Sequence, residues 1–159
     1  MITLRRLDRR DRRSFERTGM LPGPPPGLCW HAEYPTDDTI IGYRLLLGAG
    51  QADPDTSPWW MYHVVRAGTV VGNIGFHGPP DDHGSVEIGY DMVESLWGQG
   101  IATRACAAIV AVARESGAAD VVAGTDPDNH ASQRVLINNG FRPESGPPGE
   151  TELRFRLRW

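Results

Sequence analysis

From Ser85 to Val110 the chain reads SVEIGYDMVESLWGQGIATRACAAIV, a strand pattern passed through a short loop into a helix pattern. On the helix side the apolar residues Ile101, Ala105, Cys106, Ile109, Val110 and Ala113 recur at helical spacing, and Gly117 can cap the far end. The junction holds Gly98 and Gly100, two residues without a Cβ at a point where unpaired amides and the positive end of the helix dipole gather. An anion is stabilised at such a place without any basic side chain, and Ala102 and Thr103 keep the first turn small. A tight turn that needs glycine for φ > 0 explains the same residues, so the loop alone leaves both readings open. A dinucleotide-binding loop fits less well: its third glycine would fall at Thr103, and the acidic residue found downstream, Asp120, precedes a strand instead of ending one.

The rest of the chain supplies a mixed α/β context. ITLRRL suits a first strand and Asp8 to Thr18 a short charged helix, while the prolines of LPGPPPG, Leu21 to Gly27, exclude helix and central strand. Asp37 or Asp38 is expected to cap a helix through TIIGYRLLLGAG that stops at the glycines. WWMYHVVR and TVVGNIGFHG, joined by Ala67-Gly68, form a hairpin by their β-branched and aromatic content. ADVVAGT follows as a short buried strand, then a helix from about Asn129 to Asn139 and a closing strand ETELRFRLRW. Strands in a hairpin, followed by alternation with helices, predict one α/β domain over residues 1–159 with a mixed sheet.

Composition removes several function classes. All 16 basic residues are arginine, which excludes a Walker-type GK[ST] loop and a lysine Schiff base. A net charge of -4 gives no nucleic-acid footprint. The early arginines, Arg5 to Arg17, are interleaved with Asp8, Asp11 and Glu16, more the pattern of a solvated helix face than of an RNA site. Cys29 and Cys106 make neither a metal-ligand spacing nor a disulfide framework. No run approaches the roughly 18 apolar residues of a membrane span, and MITLRRLDRR lacks the apolar block of a signal peptide, so a cytoplasmic location without membrane attachment is expected.

A second cluster, GTDPDNHASQRVLINNGF from Gly124 to Phe141, changes the weight of the first. Taken with VEIGYDMVESLWGQGIATRA, it resembles the GNAT superfamily of N-acetyltransferases, specifically the RimJ/RimL-like branch that acetylates ribosomal-protein N-termini. The likeness is good from about Trp60 to Phe141. It implies a mostly antiparallel, splayed sheet of about six to seven strands flanked by helices. It implies acetyl-CoA as donor and no metal, with Trp97, Gly98, Gln99, Gly100, Ile101, Ala102 and Thr103 around the pyrophosphate. It places the pantetheine arm between splayed strands containing Tyr90 to Val93 and Val121 to Thr125, with the amide near Met92 and Val93 facing the thioester carbonyl. Trp97 departs from the superfamily's usual Gln or Arg, so side-chain help to the phosphate is absent there.

Asn129 matches the family asparagine that bonds the cofactor arm, although its type and position suit a helix N-cap equally. Many members place a tyrosine seven residues later, where this chain has Leu136, and Ser132 is the candidate general acid in its stead. An ammonium must lose a proton before it attacks. Glu87 and Asp91 lie on the strand face opposite Val86, Ile88 and Tyr90, and Glu87 is the first candidate base, ahead of Asp91, His63 and His77. Pairing with an arginine or backbone is the competing role for Glu87. Cys106, on the helix's apolar stripe, belongs to the core and predicts direct transfer without an acyl-enzyme. His31, His83 and His130 are expected on the surface, and Trp59, Trp60, Tyr62 and Trp97 in the core or at its rim.

The expected function is therefore acetyl transfer to a primary amine, a protein N-terminus by the subgroup likeness. A small amine such as a polyamine, amino acid or aminoglycoside is the alternative acceptor, and a non-catalytic acyl-CoA-binding module the alternative class. A homodimer is open to such a domain, whose oligomeric state the sequence does not fix.

Overall fold

A computed structural model describes residues 1–48 and 55–159 of the chain. In chain order these form β1 (Ile2–Arg6), α1 (Arg9–Thr18), β2 (Cys29–Trp30), α2 (Asp37–Gly48), β3 (Met61–Arg66), β4 (Thr69–Phe76), β5 (Ser85–Met92), α3 (Ile101–Glu115), β6 (Asp120–Thr125), α4 (His130–Asn138), β7 (Arg142–Glu144) and β8 (Leu153–Arg158). The strands join in one eight-stranded sheet of order β1-β3-β4-β5-β6-β8-β7, with β2 pairing in parallel beside β4. Only β5/β6 and β2/β4 are parallel. The strand count exceeds the expected six or seven because β2 and β7, of two and three residues, are too short to show a period. Among the described residues no helix is long and apolar enough to cross a membrane.

The helices begin where small polar side chains can satisfy free amides. Asp8 accepts from the backbone of Arg10 and Asp11, and the Asp11 carboxylate accepts from the Asp8 N–H, a reciprocal cap that starts the charged α1. At α2 the expected capping by Asp37 or Asp38 is corrected. Thr36 Oγ1 accepts from the Thr39 N–H at 3.1 Å, because the helix starts one residue earlier than either aspartate could cap. Of the glycines expected to stop α2, Gly48 is the helix's last described residue, and Gly50 lies outside the described residues.

Both faces of the sheet are covered, so β3 and β4 are almost wholly buried. Beneath α3, Ile101, Ala105, Cys106 and Ile109 pack on Val64, Val70, Ile74, Val86 and Ile88. Cys106 sits inside this core, its thiol pushed up to about 12 by burial, as its place on the apolar stripe predicts. A second cluster gathers Leu7, Phe15, Tyr43, Leu46, Trp60 and Met61 from α1, α2 and the start of β3. Side chains alternate across β3, which sends Met61 to that cluster and Tyr62 and Val64 to the one under α3.

Candidate active site

The site forms where β5 and β6 part. Their parallel pairing runs from Ser85↔Asp120 to Ile88↔Ala123 and ends there. Beyond Ile88, β5 continues to Met92 with β4 as its partner, while β6 continues to Thr125 against β8. The opening is shorter than expected on the β6 side, where Val121 to Ala123 are still paired and Gly124 and Thr125 alone extend past it. Hydrogen bonds show which way the free backbone points. His77 N–H donates to Glu87 O at 2.9 Å and Val93 N–H to Val71 O at 3.0 Å. Odd-numbered residues of β5 therefore bond to β4, and the N–H and C=O of Tyr90 and Met92 turn toward the opening.

Next to it lies a groove of about 470 Å³, lined by Tyr90, Met92, the turn from Leu96 into α3, and one face of α4. Gly98 and Gly100 have φ of 76° and 70°, a conformation that disfavours any residue with a Cβ. No side chain caps α3, so the first-turn N–H groups of Ile101, Ala102 and Thr103 are left for a ligand or solvent. An added Cβ on Gly98 would meet nothing within 4 Å, whereas one on Gly100 would lie 3.2 Å from Arg104 Nη1.

That contact corrects the expectation of an anion site without basic side chains. Arg104, one turn into α3, folds back to donate from Nη2 to Gln99 O at 3.1 Å. Arg134 of α4 lines the same groove, and Arg66 of β3 donates to Gln99 Oε1 at 2.7 Å. Two of these arginines are far from the loop in sequence, so only folding brings them to it.

Most of the expected cofactor residues converge, and with them the candidate acid Ser132. Met92, Trp97, Gly98, Gly100, Ile101, Ala102, Thr103, Asn129 and Ser132 all line the groove. Val93 does not: its side chain is fully buried and its amide already bonds Val71, so the turn of backbone into the opening falls on Met92 instead. Gln99 is exposed, its side chain tied to Arg66. Trp97 is 61% exposed and donates from Nε1 to Met92 O at 2.8 Å, a tether for the strand end in place of a phosphate contact. Asn129 Oδ1 accepts from the Ser132 N–H at 3.0 Å, so its N-cap role is realised in the groove wall.

Tyr90 brings to the groove a hydroxyl that the sequence reading did not single out. Its hydroxyl lies 2.7 Å from Ser132 Oγ, and burial pushes its pKa up to about 12. Alternation on β5 did place Tyr90 with Val86 and Ile88, which reads as core; its polar tip emerges only because pairing with β6 stops before it. Leu136, at the family's tyrosine position, is fully buried.

The opposite face of β5 carries the carboxylates. Glu87 lies outside the groove lining; its Oε1 is 3.5 Å from His77 Nδ1, and the hydrogen bond to His77 lowers its pKa. A Cβ on Gly124 would sit 2.7 Å from Glu152 Oε2 and 4.0 Å from Glu87 Oε1, so two carboxylates flank bare backbone at the opening. Sequence reading missed Glu152, which arrives from beside β8. Asp91 does reach the groove, together with Asp38, and its pKa is raised by burial against the hydrogen bond from Thr36. His63 does not reach it: it is 1% exposed, 2.9 Å from Tyr34 Oη, and burial, then Arg5, lowers its pKa to about 4. His83 and His130 are exposed, while His31 is half-buried beside Glu33. Trp60 and Tyr62 are buried in the core.

A splayed pair of parallel strands beside an uncapped helix start is the framework that the resemblance to N-acetyltransferases implies, and the comparisons agree. Residues 2–142 match the acetyltransferase (GNAT) domain family, and the chain belongs to that family. It is 33% identical over 76 residues to YoaA of Bacillus subtilis (strain 168), an uncharacterized N-acetyltransferase, a match that covers 47% of this chain and 43% of YoaA. The acetyltransferase from Agrobacterium tumefaciens str. C58 aligns with a TM-score of 0.65 at 20% identity, over 99% of this chain and 91% of that one. RimL, a ribosomal alpha-N-protein acetyltransferase, aligns at 0.63 and 21% identity, over 99% of this chain and 92% of its own. At these identities the solved structures share the fold.

Proposed function

We propose that this chain transfers an acetyl group from acetyl-CoA directly to a primary amine. One observation carries the reading: the uncapped start of α3, on two left-handed glycines, opens into the same groove as the unpaired end of β5 and the Tyr90–Ser132 hydroxyl pair. The residues present fit the donor. Gly98 leaves space where a side chain would stand, and the amides from Gly98 to Thr103 would hold the pyrophosphate, with Arg104 and Arg134 adding charge. The backbone of Tyr90 and Met92 would pair with the pantetheine arm as an added strand, beside Asn129.

Bound there, acetyl-CoA supplies an activated acyl thioester. The Met92 N–H would donate to the acyl oxygen as charge builds on it. Ser132 Oγ would hold a proton for the departing sulfur, oriented by the Tyr90 hydroxyl 2.7 Å away. Glu87, ionised at neutral pH and held by the exposed His77, would take the proton of the incoming ammonium. The fold shared with RimL supports a protein N-terminal α-amine as the first acceptor to test, ahead of small amines.

Two measurements test the reading. Acetyl-CoA should raise the melting temperature, and thiol should then be released with at least one member of a panel of N-terminal peptides, polyamines, amino acids and aminoglycosides. Stabilisation without thiol release for any acceptor would leave a binding module; no stabilisation would end the proposal.

A further inference from the structure

The outer half of β5 lacks a strand partner on one side, where Trp97 Nε1 bonds its backbone at the Met92 carbonyl. From Ser85 to Ile88 it is paired with β6, but from Gly89 to Met92 its strand partner is β4 alone. This half carries the Met92 N–H, a donor that helps only if it is fixed before the reaction. Support comes from the face opposite the groove wall formed by Tyr90. Asp91 Oδ2 accepts hydrogen bonds from Thr36 Oγ1 and, at 3.4 Å, from Thr39 Oγ1, both at the start of α2. Thr39 is fully buried and accepts from Asn73 Nδ2 at 2.8 Å. Asn73 is the register partner of Asp91 on one side and of His63 on the other. Buried hydrogen bonds of this kind contribute little net stability over apolar packing of the same shape, so stability alone does not account for so many polar groups in one row.

We propose that Thr39, with Thr36, is a positioning residue that clamps Asp91 and thereby fixes the Met92 N–H in the opening, which makes α2 part of what sets the turnover rate. The proposal rests on the acetyl-transfer reading. It assigns Asp91 the task of accepting hydrogen bonds, and its oxygen matters more than its charge.

The test compares Thr39→Val, which keeps the branch and loses the hydroxyl, with Thr39→Ser, which restores it. Thr39→Val should lower kcat at least about tenfold while Thr39→Ser stays within about threefold of wild type, and the Kd for acetyl-CoA should be unchanged in both. In the ligand-free protein, amide hydrogen exchange over residues 89–93 should accelerate about tenfold in Thr39→Val alone. Asp91→Asn, which keeps an acceptor oxygen, should retain kcat within about threefold, and Asp91→Ala should match Thr39→Val. Wild-type exchange and kcat in Thr39→Val would overturn the clamp, as would exchange that rises evenly over the whole chain. Equal losses in Asp91→Asn and Asp91→Ala would overturn it too, by making Asp91 a proton-handling group. If Thr39→Val fails to fold, the Asp91 pair decides. If wild type releases no thiol with any acceptor, the acetyl-transfer reading falls, while the exchange measurement still decides the clamp.

Discussion

The two faces of β5 are built from different materials. On the groove side, the ligand-facing groups are mostly backbone: left-handed glycines, uncapped helix amides, and the N–H groups of a strand that has lost its partner. On the other side the polar groups are side chains, namely Glu87 beside His77, and Asp91, held by threonines and reaching round to the groove's edge. A backbone site is set by where chain segments start and stop. A side-chain site depends on which distant residues meet, so the two faces should fail in different ways when altered.

The largest expected effect is on the side-chain face. Glu87→Gln should cut kcat about a hundredfold, with the Kd for acetyl-CoA unchanged in a titration. Because His77 holds the Glu87 pKa below its ordinary value, its share of activity should persist through neutral pH and be lost only as pH falls through that depressed value. Should Glu87→Gln weaken the cofactor instead, the division between faces is wrong.

A stability effect on the same face comes next. Buried His63 has its pKa lowered to about 4, so between about pH 6.5 and 4 the unfolded chain binds a proton that the folded one refuses. Stability contributed by neutral His63 is present above the unfolded value and is lost as pH falls toward 4, by about 3 kcal/mol. Denaturant melts at pH 7 and 4.5 should show this loss in wild type and a smaller one in His63→Gln.

On the groove face, Gly100→Val forces a branched residue to φ of 70° and toward Arg104. A cost of about 2 kcal/mol should appear as roughly thirtyfold weaker acetyl-CoA binding by calorimetry. Trp97→Phe should give the smallest effect. It removes the hydrogen bond to Met92 O, worth about 1 kcal/mol, and a fewfold rise in Kd or fall in kcat would be read by steady-state kinetics.

The backbone face was largely legible in the sequence. SVEIGYDM, the glycine pair and the apolar stripe from Ile101 are local signals, and strand, turn and helix stand where those signals put them. Even Asn129 had its cap role written in its type and position. The side-chain face was legible only in part: Glu87, Asp91, His63 and His77 stood out as candidates, but the distant residues that hold them did not. Thr36 and Asp91 are separated by 55 residues and Thr39 and Asn73 by 34, and nothing periodic marks such pairs. Tyr90 was hidden for a different reason, since its strand face reads as core until one knows that β6 ends its pairing at Ala123.

By itself, then, the amino-acid order determined the elements and the anion-ready turn, because hydrophobic period, caps and positive-φ glycines act over a few neighbouring residues. Tertiary structure decided where β5 and β6 part, which hydroxyl meets Ser132, that Arg104 and Arg134 flank the loop, and that α2 grips Asp91. Those outcomes depend on register and on contacts between distant segments, which form only when the whole sheet closes around its two cores.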